Sequence, residues 1–361
     1  MEKKGKVLVA LSGGVDSTVT AMMLHNTGYD VVGVTMKTWS YSQIGGNKKE
    51  TGCCNLDAIN DARQVAVDMG FPHYIIDLQP AFQQTIIKNF INEYLAGRTP
   101  NPCVLCNTLI KWQALLERAD GLDCEYIATG HYAKVKQSNS RYFISKARDN
   151  MKDQSYVLWG LTQADLKRTI FPLGELTKTE VKAYADKMGY TSLANKAESY
   201  EICFVPDNDY RGFLDRNVPD LSKRTAGGNF LLADGTVVGK HRGYPYYTVG
   251  QRRGLGIALG KPMFVSTINA STNEITLGEK NEQAVSSIRV ANVNWQKAVV
   301  KVPVEATVKI RYRSKANSAI IQNDMKGVKV VFDESVSGIA PGQSAVFYDG
   351  EDVLGGGIIY L

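Results

Sequence analysis

The segment KVLVALSGGVDST constrains this chain more than any other. An apolar run at 6–11 enters a turn at Gly13 and Gly14 and leaves as a helix-length stretch from Ser17. Strand, glycine turn and helix in that order open a βαβ unit. Two glycines let the backbone come close to an anion. The N–H groups beyond them point at it, and the helix N-terminus adds positive potential, so the favoured chemistry is phosphate binding. The G-x-x-x-x-G-K-[ST] spacing and its lysine are missing, so this is not a Walker loop. The plainer reading of the geometry is a tight turn in which Asp16 starts a helix.

The alternation continues over the first 130 residues. Apolar runs at 30–36, at 73–78 and in EYIAT are separated by helix-length segments at 56–69, 80–96 and after Cys106. Such alternation implies a parallel sheet with crossover helices. Gly97 is placed to end one helix, and Thr177 with Glu180 spells a capping box opening another through Met188. After Pro206 helical periodicity fades and Gly-rich turns separate short runs such as FLLADGTVVG, which reads as β structure. From about Ser286 further strand-like runs are spaced as in a small barrel or sandwich. The expected architecture is a Rossmann-like α/β parallel-sheet domain over 1–205, a β-rich connector over 206–283 and a C-terminal β-barrel over 284–361.

With 361 residues, 44% of them hydrophobic, the chain can bury several cores. Forty-two Lys+Arg against 36 Asp+Glu leave a net charge of +6, which permits a polyanionic partner without proving one. The N-terminal apolar run enters a glycine loop and not a cleavage site, and no run approaches the roughly 20 apolar residues that cross a bilayer. A cytoplasmic monomer is therefore expected. Six cysteines, two adjacent (Cys53, Cys54) and two spaced C-x-x-C (Cys103, Cys106), suit reactive or metal-binding thiols better than a secreted disulfide framework.

RTPNPCVLCN over 98–107 reads as a proline-stiffened loop ending where a helix begins. That places Cys106 near a helix N-terminus, where thiolate is stabilised. Cys203, inside the apolar run of YEICFVPD, reads by itself as a buried structural thiol. Cys124 reads as packing.

The string SGGVDS resembles the pyrophosphatase loop of enzymes that split ATP between the α and β phosphates and pass AMP to a substrate oxygen. Together with GRTPNPCVLCN, IATGHYA, KDQSYVL, EICFVPD, GQRRGLGI and IRYRS, it makes nearly the whole chain resemble the tRNA-specific 2-thiouridylase family. The resemblance implies an adenylating first domain, with ATP at Ala10, Leu11, Ser12, Gly13, Gly14, Val15, Asp16, Ser17, Met36 and Gly130; Mg2+ is expected to come with the ATP, with no protein metal ligands. It implies that Cys203 carries a persulfide and that Cys106 is the nucleophile that completes transfer through a transient disulfide. It implies tRNA contacts at Asn101, Pro102, Cys103, His131, Lys152, Asp153, Gln154, Ser155, Arg311, Tyr312 and Gln343. Implied partners are tRNAs with Lys, Glu and Gln anticodons and a cysteine desulfurase or sulfur-relay protein. Some members carry an aspartate, proposed for acid–base catalysis, where this chain has Cys103. Cys103, Cys106 and Cys203 are an alternative ligand set for an iron–sulfur cluster, since thiolates serve both purposes. A second alternative is an adenylase that amidates its substrate with ammonia.

Read as a strand, VKIRYRSK puts Lys309, Arg311, Arg313 and Lys315 on one face, a phosphate-tracking stripe. Lys240, Arg242, Arg252 and Arg253, interleaved with Tyr244, Tyr246 and Tyr247, suit backbone contact plus base stacking.

Overall fold

The computed structural model describes residues 4–39, 56–196, 202–205 and 207–360; Cys53 and Cys54 lie outside the described residues. Strands β1 (Lys6–Ala10), β2 (Asp30–Lys37), β3 (His73–Asp77), β4 (Tyr126–Ala128) and β7 (Thr169–Ile170) form one sheet in the order β3-β2-β1-β4-β7. Every pairing in it is parallel. Val7, Leu8 and Val9 of the central strand are fully buried, as expected of a strand covered on both faces. Helices α1 (Val15–Asn26) and α2 (Leu56–Met69) supply part of that cover. In such sheets ligands bind beyond the carboxyl ends of the strands, and β1 and β4 deliver Ser12 and Gly130 there.

The expected helix at 80–96 is a rod in three pieces: α3 (Gln79–Phe82), a π-type segment (Gln83–Ile87) and α4 (Lys88–Leu95). Gly97, at φ +73, ends it as anticipated. A second rod, again with a π-type segment (Asn107–Lys111), joins α5 (Pro102–Cys106) to α6 (Trp112–Asp120). Beyond a short α7 (Gln163–Lys167), the Thr177–Glu180 capping box is formed and opens α8 (Lys178–Lys187). A short α9 (Thr191–Ala194) follows.

The connector departs from the β reading at its start. α10 (Tyr210–Asn217) and α11 (Leu221–Thr225) come first, because Asp209 caps Gly212 N–H at 3.0 Å and Phe213, Leu214, Val218 and Leu221 recur at helical spacing on the buried side. Four strands follow, β8 (Gly228–Leu231), β9 (Val237–His241), β10 (Phe264–Asn269) and β11 (Glu274–Gly278), in the order β10-β11-β8-β9.

The last third is an antiparallel barrel of β12 (Val285–Trp295), β13 (Val304–Lys309), β14 (Asn317–Asp324), β15 (Gly327–Val336), β16 (Ser344–Asp349) and β17 (Asp352–Tyr360), closed by pairing β12 with β17. A hairpin from the front half, β5 (Ala133–Ser138) and β6 (Arg141–Lys146), joins the barrel sheet through β17 and not the parallel sheet. Buried Gln296 locks that junction. Its carbonyl Oε1 accepts Ile144 N–H at 3.1 Å, and its Nε2 donates to the Leu158 and Trp159 carbonyls at 3.0 Å each.

β13 stops at Lys309, so the expected cationic stripe is not a strand face. Residues 311–314 turn instead, with Arg311 N–H donating to Ser314 Oγ at 3.2 Å and that hydroxyl donating to the Arg311 carbonyl at 2.9 Å. A serine side chain that serves the local backbone competes with the ladder at that point.

Candidate active site

The loop after β1 is held by its own serines. Ser17 Oγ accepts Ser12 N–H at 3.0 Å, donates to the Gly14 carbonyl at 3.0 Å and lies 3.1 Å from Ser12 Oγ. Gly13 adopts φ +68, and a Cβ there would collide with the Ala58 carbonyl, so two separate constraints demand glycine. Gly14 caps α1 in extended conformation, leaving the first-turn N–H groups of the helix directed out of its N-terminus. Ala10 ends β1; Leu11 donates to Val34 at 2.8 Å and accepts the Thr35 hydroxyl at 2.9 Å, tying the loop entrance to β2. Val15 is buried under the turn, and Met36 sits further along β2, opposite Ile76 of β3.

The run Thr129–Tyr132 beyond β4 crosses over this loop. A Cβ on Gly130 would stand 2.9 Å from the backbone of Asp16 and Ser17, so the two segments touch main chain to main chain. Tyr132 donates its hydroxyl to Asp16 Oδ1 at 2.8 Å, and Lys178, the first residue of α8, donates Nζ to Asp16 Oδ1 at 2.7 Å and Oδ2 at 2.8 Å. Lys178 is 9% exposed.

His131 turns the other way. Its Nδ1 lies 2.6 Å from Thr129 Oγ1 and its ring packs 5.6 Å from that of Trp112. The surrounding protein pushes its imidazole down to about 3, and the Lys111 ammonium adds to the fall, so the ring is neutral near pH 7. Lys111 also acts on Cys103, where it partly offsets desolvation that pushes the thiol up. Cys103, His131 and Lys111 thus share one electrostatic neighbourhood.

The helix bearing the paired cysteines begins earlier than expected. Asn101 is its N-cap and Pro102 its first residue, so Cys106 ends α5 and is not at a helix start. Proline is favoured at the first helical position, where its missing N–H costs nothing. Cys103 occupies the first turn with its side chain exposed, and the protein crowded around the thiol pushes it up while Lys111 partly offsets the rise. Cys106 is buried and Cys203 exposed, and neither is in a disulfide. Cys106 belongs to the same apolar cluster as Phe204 and Val205, which puts the chain on either side of that cluster within one packed unit. The buried structural reading of Cys203 is therefore corrected: Phe204, packed edge-on to Phe82 and Phe90, takes the core position and turns its neighbour outward. Cys124 is core packing. Among the described residues no group of three His, Cys, Asp or Glu side chains could hold a metal ion, so Cys103, Cys106 and Cys203 form no ready ligand set in this conformation.

Residues 152–155 form a knot. Asp153 accepts Ala147 N–H at 3.1 Å and the Ser155 hydroxyl at 2.8 Å; Gln154 and Tyr132 exchange a pair of hydrogen bonds at 2.8 and 2.9 Å; Lys152 N–H donates to the Asp149 carbonyl at 3.1 Å. The barrel reaches in from the far side. Tyr312 donates to the Asp153 carbonyl at 3.0 Å, Gln343 Nε2 donates to the Thr99 and Pro100 carbonyls at 3.1 and 2.8 Å, and Arg311 donates to the Val249 carbonyl at 2.7 Å. Each of these three side chains is thus a clasp between domains. Sequence reasoning assigned no role to Lys111, Tyr132 or Lys178; Tyr132 lies inside IATGHYA and Lys178 inside the capping-box segment, whereas Lys111 carries no local motif.

The second basic cluster also reads differently. Tyr246 and Tyr247 are buried, Tyr246 bonding Asp215, and Tyr244 donates to the Leu95 carbonyl at 2.7 Å, so these rings are core and not a stacking platform.

Three family models match in succession: the tRNA methyl transferase HUP domain over residues 5–207, the tRNA methyl transferase PRC-barrel domain over 212–279 and the aminomethyltransferase beta-barrel domain over 285–359. Full-length relatives bear a different kind of name. The tRNA-specific 2-thiouridylase MnmA of Cytophaga hutchinsonii is 55% identical over 99% of this chain and 98% of its own length. That of Amoebophilus asiaticus is 56% identical over 99% and 96%, and that of Salinibacter ruber 53% over 100% and 95%. With identity at this level over 95% or more of both chains, the chain belongs to the tRNA-specific 2-thiouridylase family.

Proposed function

We propose that the chain is an ATP-dependent tRNA-uridine 2-sulfurtransferase that adenylates the C2 oxygen of the wobble uridine and replaces it with sulfur from a persulfide on Cys203. Adenylation converts an oxygen into a leaving group. The terminal persulfide sulfur then attacks C2 and AMP departs. Cys106 attacks Cys203 Sγ, releases the sulfur on the uridine and forms a Cys106–Cys203 disulfide, which a thiol reductant resets. That step needs the two thiols within disulfide reach, Cα atoms about 5–7 Å apart. Cys106 lies in the apolar cluster that Phe204, the neighbour of Cys203, also fills, which supports the pairing.

The observation that carries the reading is the Thr129–Tyr132 run. Gly130 lies on the phosphate loop, while His131 shares Lys111 with Cys103, so the run joins a phosphate end to a thiol end. ATP is assigned to Ala10–Ser17, Met36 and Gly130, and the target base to the pocket of Asn101, Pro102 and Cys103. A base modified at C2 has to leave its stack, as an anticodon loop allows. His131, Lys152–Ser155, Arg311, Tyr312 and Gln343 are assigned to the tRNA side. ATP enters as its Mg2+ complex; the described residues offer no carboxylate cage, so the phosphates and water would hold most of the ion's shell. A cytoplasmic monomer drawing sulfur from a cysteine desulfurase or relay protein, and acting on tRNAs with Lys, Glu and Gln anticodons, completes the proposal.

The test is mass spectrometry of wobble nucleosides after incubating the protein with unmodified tRNA, ATP, Mg2+ and a persulfide source. 2-Thiouridine from the parent, and none from Cys106→Ala or Cys203→Ala, is the expected result. AMP release without thiolated product would sink the assigned acceptor.

A further inference from the structure

Lys178, inside the capping-box segment but not part of the cap itself, sets its ammonium against Asp16 of the phosphate loop, while the Lys196 ammonium reaches the Gly13 carbonyl at 3.3 Å. Lys178 is 9% exposed and grips both oxygens of Asp16, at 2.7 and 2.8 Å. Taking an ammonium out of water costs several kcal/mol unless partners replace the hydration, so a buried lysine of this kind signals a specific use or a specific partner. Asp16 is a partner whose own place is informative. It sits in the first turn of α1, one residue beyond the turn that aims N–H groups outward, and Tyr132 holds the same Oδ1 at 2.8 Å. A bare carboxylate there would repel a triphosphate arriving at the loop. Paired, it becomes a neutral post that fixes the ammonium beside the anion site.

The stem of Lys178 is equally well fixed. Its backbone N–H donates to Asp149 Oδ2 at 2.9 Å, and the Thr177–Glu180 capping box sets the helix turn from which it springs. Tyr132 lies under the ammonium, ring centre 5.9 Å away. The ammonium is thus held in place by Asp16 and by its fixed stem, and a charge placed in advance is what electrostatic stabilisation of a developing anion requires.

We propose that Lys178 contacts the β and γ phosphates of ATP and stabilises the pyrophosphate as it leaves; this rests on the adenylation reading given above. In the step concerned, the uridine C2 oxygen forms a bond to the α-phosphorus, and the bond from that phosphorus to the bridging oxygen breaks. The electron pair leaves on pyrophosphate, and the uridine N3 proton is given up to solvent. Lys178 stays protonated throughout, so its whole effect is electrostatic.

The experiment measures Mg2+-pyrophosphate affinity by calorimetry, and KM for ATP and for tRNA by AMP release, in the parent, Lys178→Met, Lys178→Arg and the double variant Lys178→Met with Asp16→Asn. A charge-assisted contact to a phosphate predicts a roughly ten- to hundredfold weaker pyrophosphate affinity and a similar rise in KM for ATP in the Met variant, with KM for tRNA unchanged. Arginine should hold both values within about threefold. The double variant should stay defective. Recovery in the double variant would overturn the proposal, because Lys178 would then serve only to neutralise Asp16. So would pyrophosphate affinity within twofold of the parent in the Met variant. Should the Met variant fail to fold, the Arg variant decides alone, a loss beyond about tenfold counting against. If the parent binds pyrophosphate but releases no AMP with tRNA, the adenylation reading fails while the calorimetric arm still judges Lys178.

Discussion

The proposed phosphate end and the proposed thiol end of this site are built in opposite ways. Residues 10–17 hold their turn largely by local contacts: Ser12 and Ser17 bond each other, one glycine takes a left-handed φ and another caps the helix, with Leu11 tied to β2 and Asp16 held by Tyr132 and Lys178. The thiol end is a joint between distant pieces. The loop before Cys103 rests on Gln343, the knot at 152–155 rests on Tyr312, and the hairpin beyond Tyr132 is stitched to the barrel through Gln296. A geometry written in eight successive residues tolerates changes elsewhere in the molecule. One assembled across domains inherits the stability of every clasp, and substitutions can separate the two cases.

The largest effect is expected at the phosphate end. Gly13→Ala forces a Cβ into the Ala58 carbonyl at a left-handed φ and should cut AMP formation by roughly a hundredfold, the cost of misplacing a reacting group by an ångström. Near-normal AMP release from a folded variant would show that the loop is not the phosphate site.

Next comes the joint. Gln296→Leu strands the Ile144 N–H and two carbonyls in a dry interior and should lower stability by about 3 kcal/mol in chemical denaturation. If unfolding is unchanged, the barrel is not locked to the front half in this way. A smaller, more selective effect is expected from Gln343→Ala. It removes two bonds to the 99–100 carbonyls and should slow thiolation up to about tenfold while KM for ATP stays put. A matching rise in KM for ATP would mean that the two ends are coupled more tightly than the contacts imply.

The smallest is a pH effect. The fold holds His131 neutral down to about 3, below its ordinary 6.5, so the unfolded chain binds more protons between those values. Stability contributed by the neutral ring is therefore complete above about pH 6.5 and declines as the pH falls toward 3. His131→Gln should flatten that part of the stability curve; an unchanged slope would remove His131 from the account.

Much of the front half was legible because its signals are local. Periodicity marked the parallel strands, Thr177 and Glu180 announced a helix start, and SGGVDS described a turn that only glycine permits. Reading failed where one residue served two elements. Pro102 looked like loop stiffening but is the first residue of a helix, which moved Cys106 away from the helix start. Arg311 and Tyr312 continued an alternating pattern, yet Ser314 closed a turn across them. The tyrosines at 244–247 looked like a stacking surface because nothing local said that Asp215 and Leu95 would claim their hydroxyls.

By itself, the sequence determined the elements of the parallel sheet, the glycine turn after β1 and the kinship carried by the cysteine segments, since each is announced by residues that are neighbours along the chain. Only tertiary structure decided that Lys178 meets Asp16, that Lys111 serves both Cys103 and His131, and that Cys203 faces outward while Phe204 fills the core. Those contacts span tens to hundreds of residues, and burial and charge choose among such partners only once the domains have closed on one another.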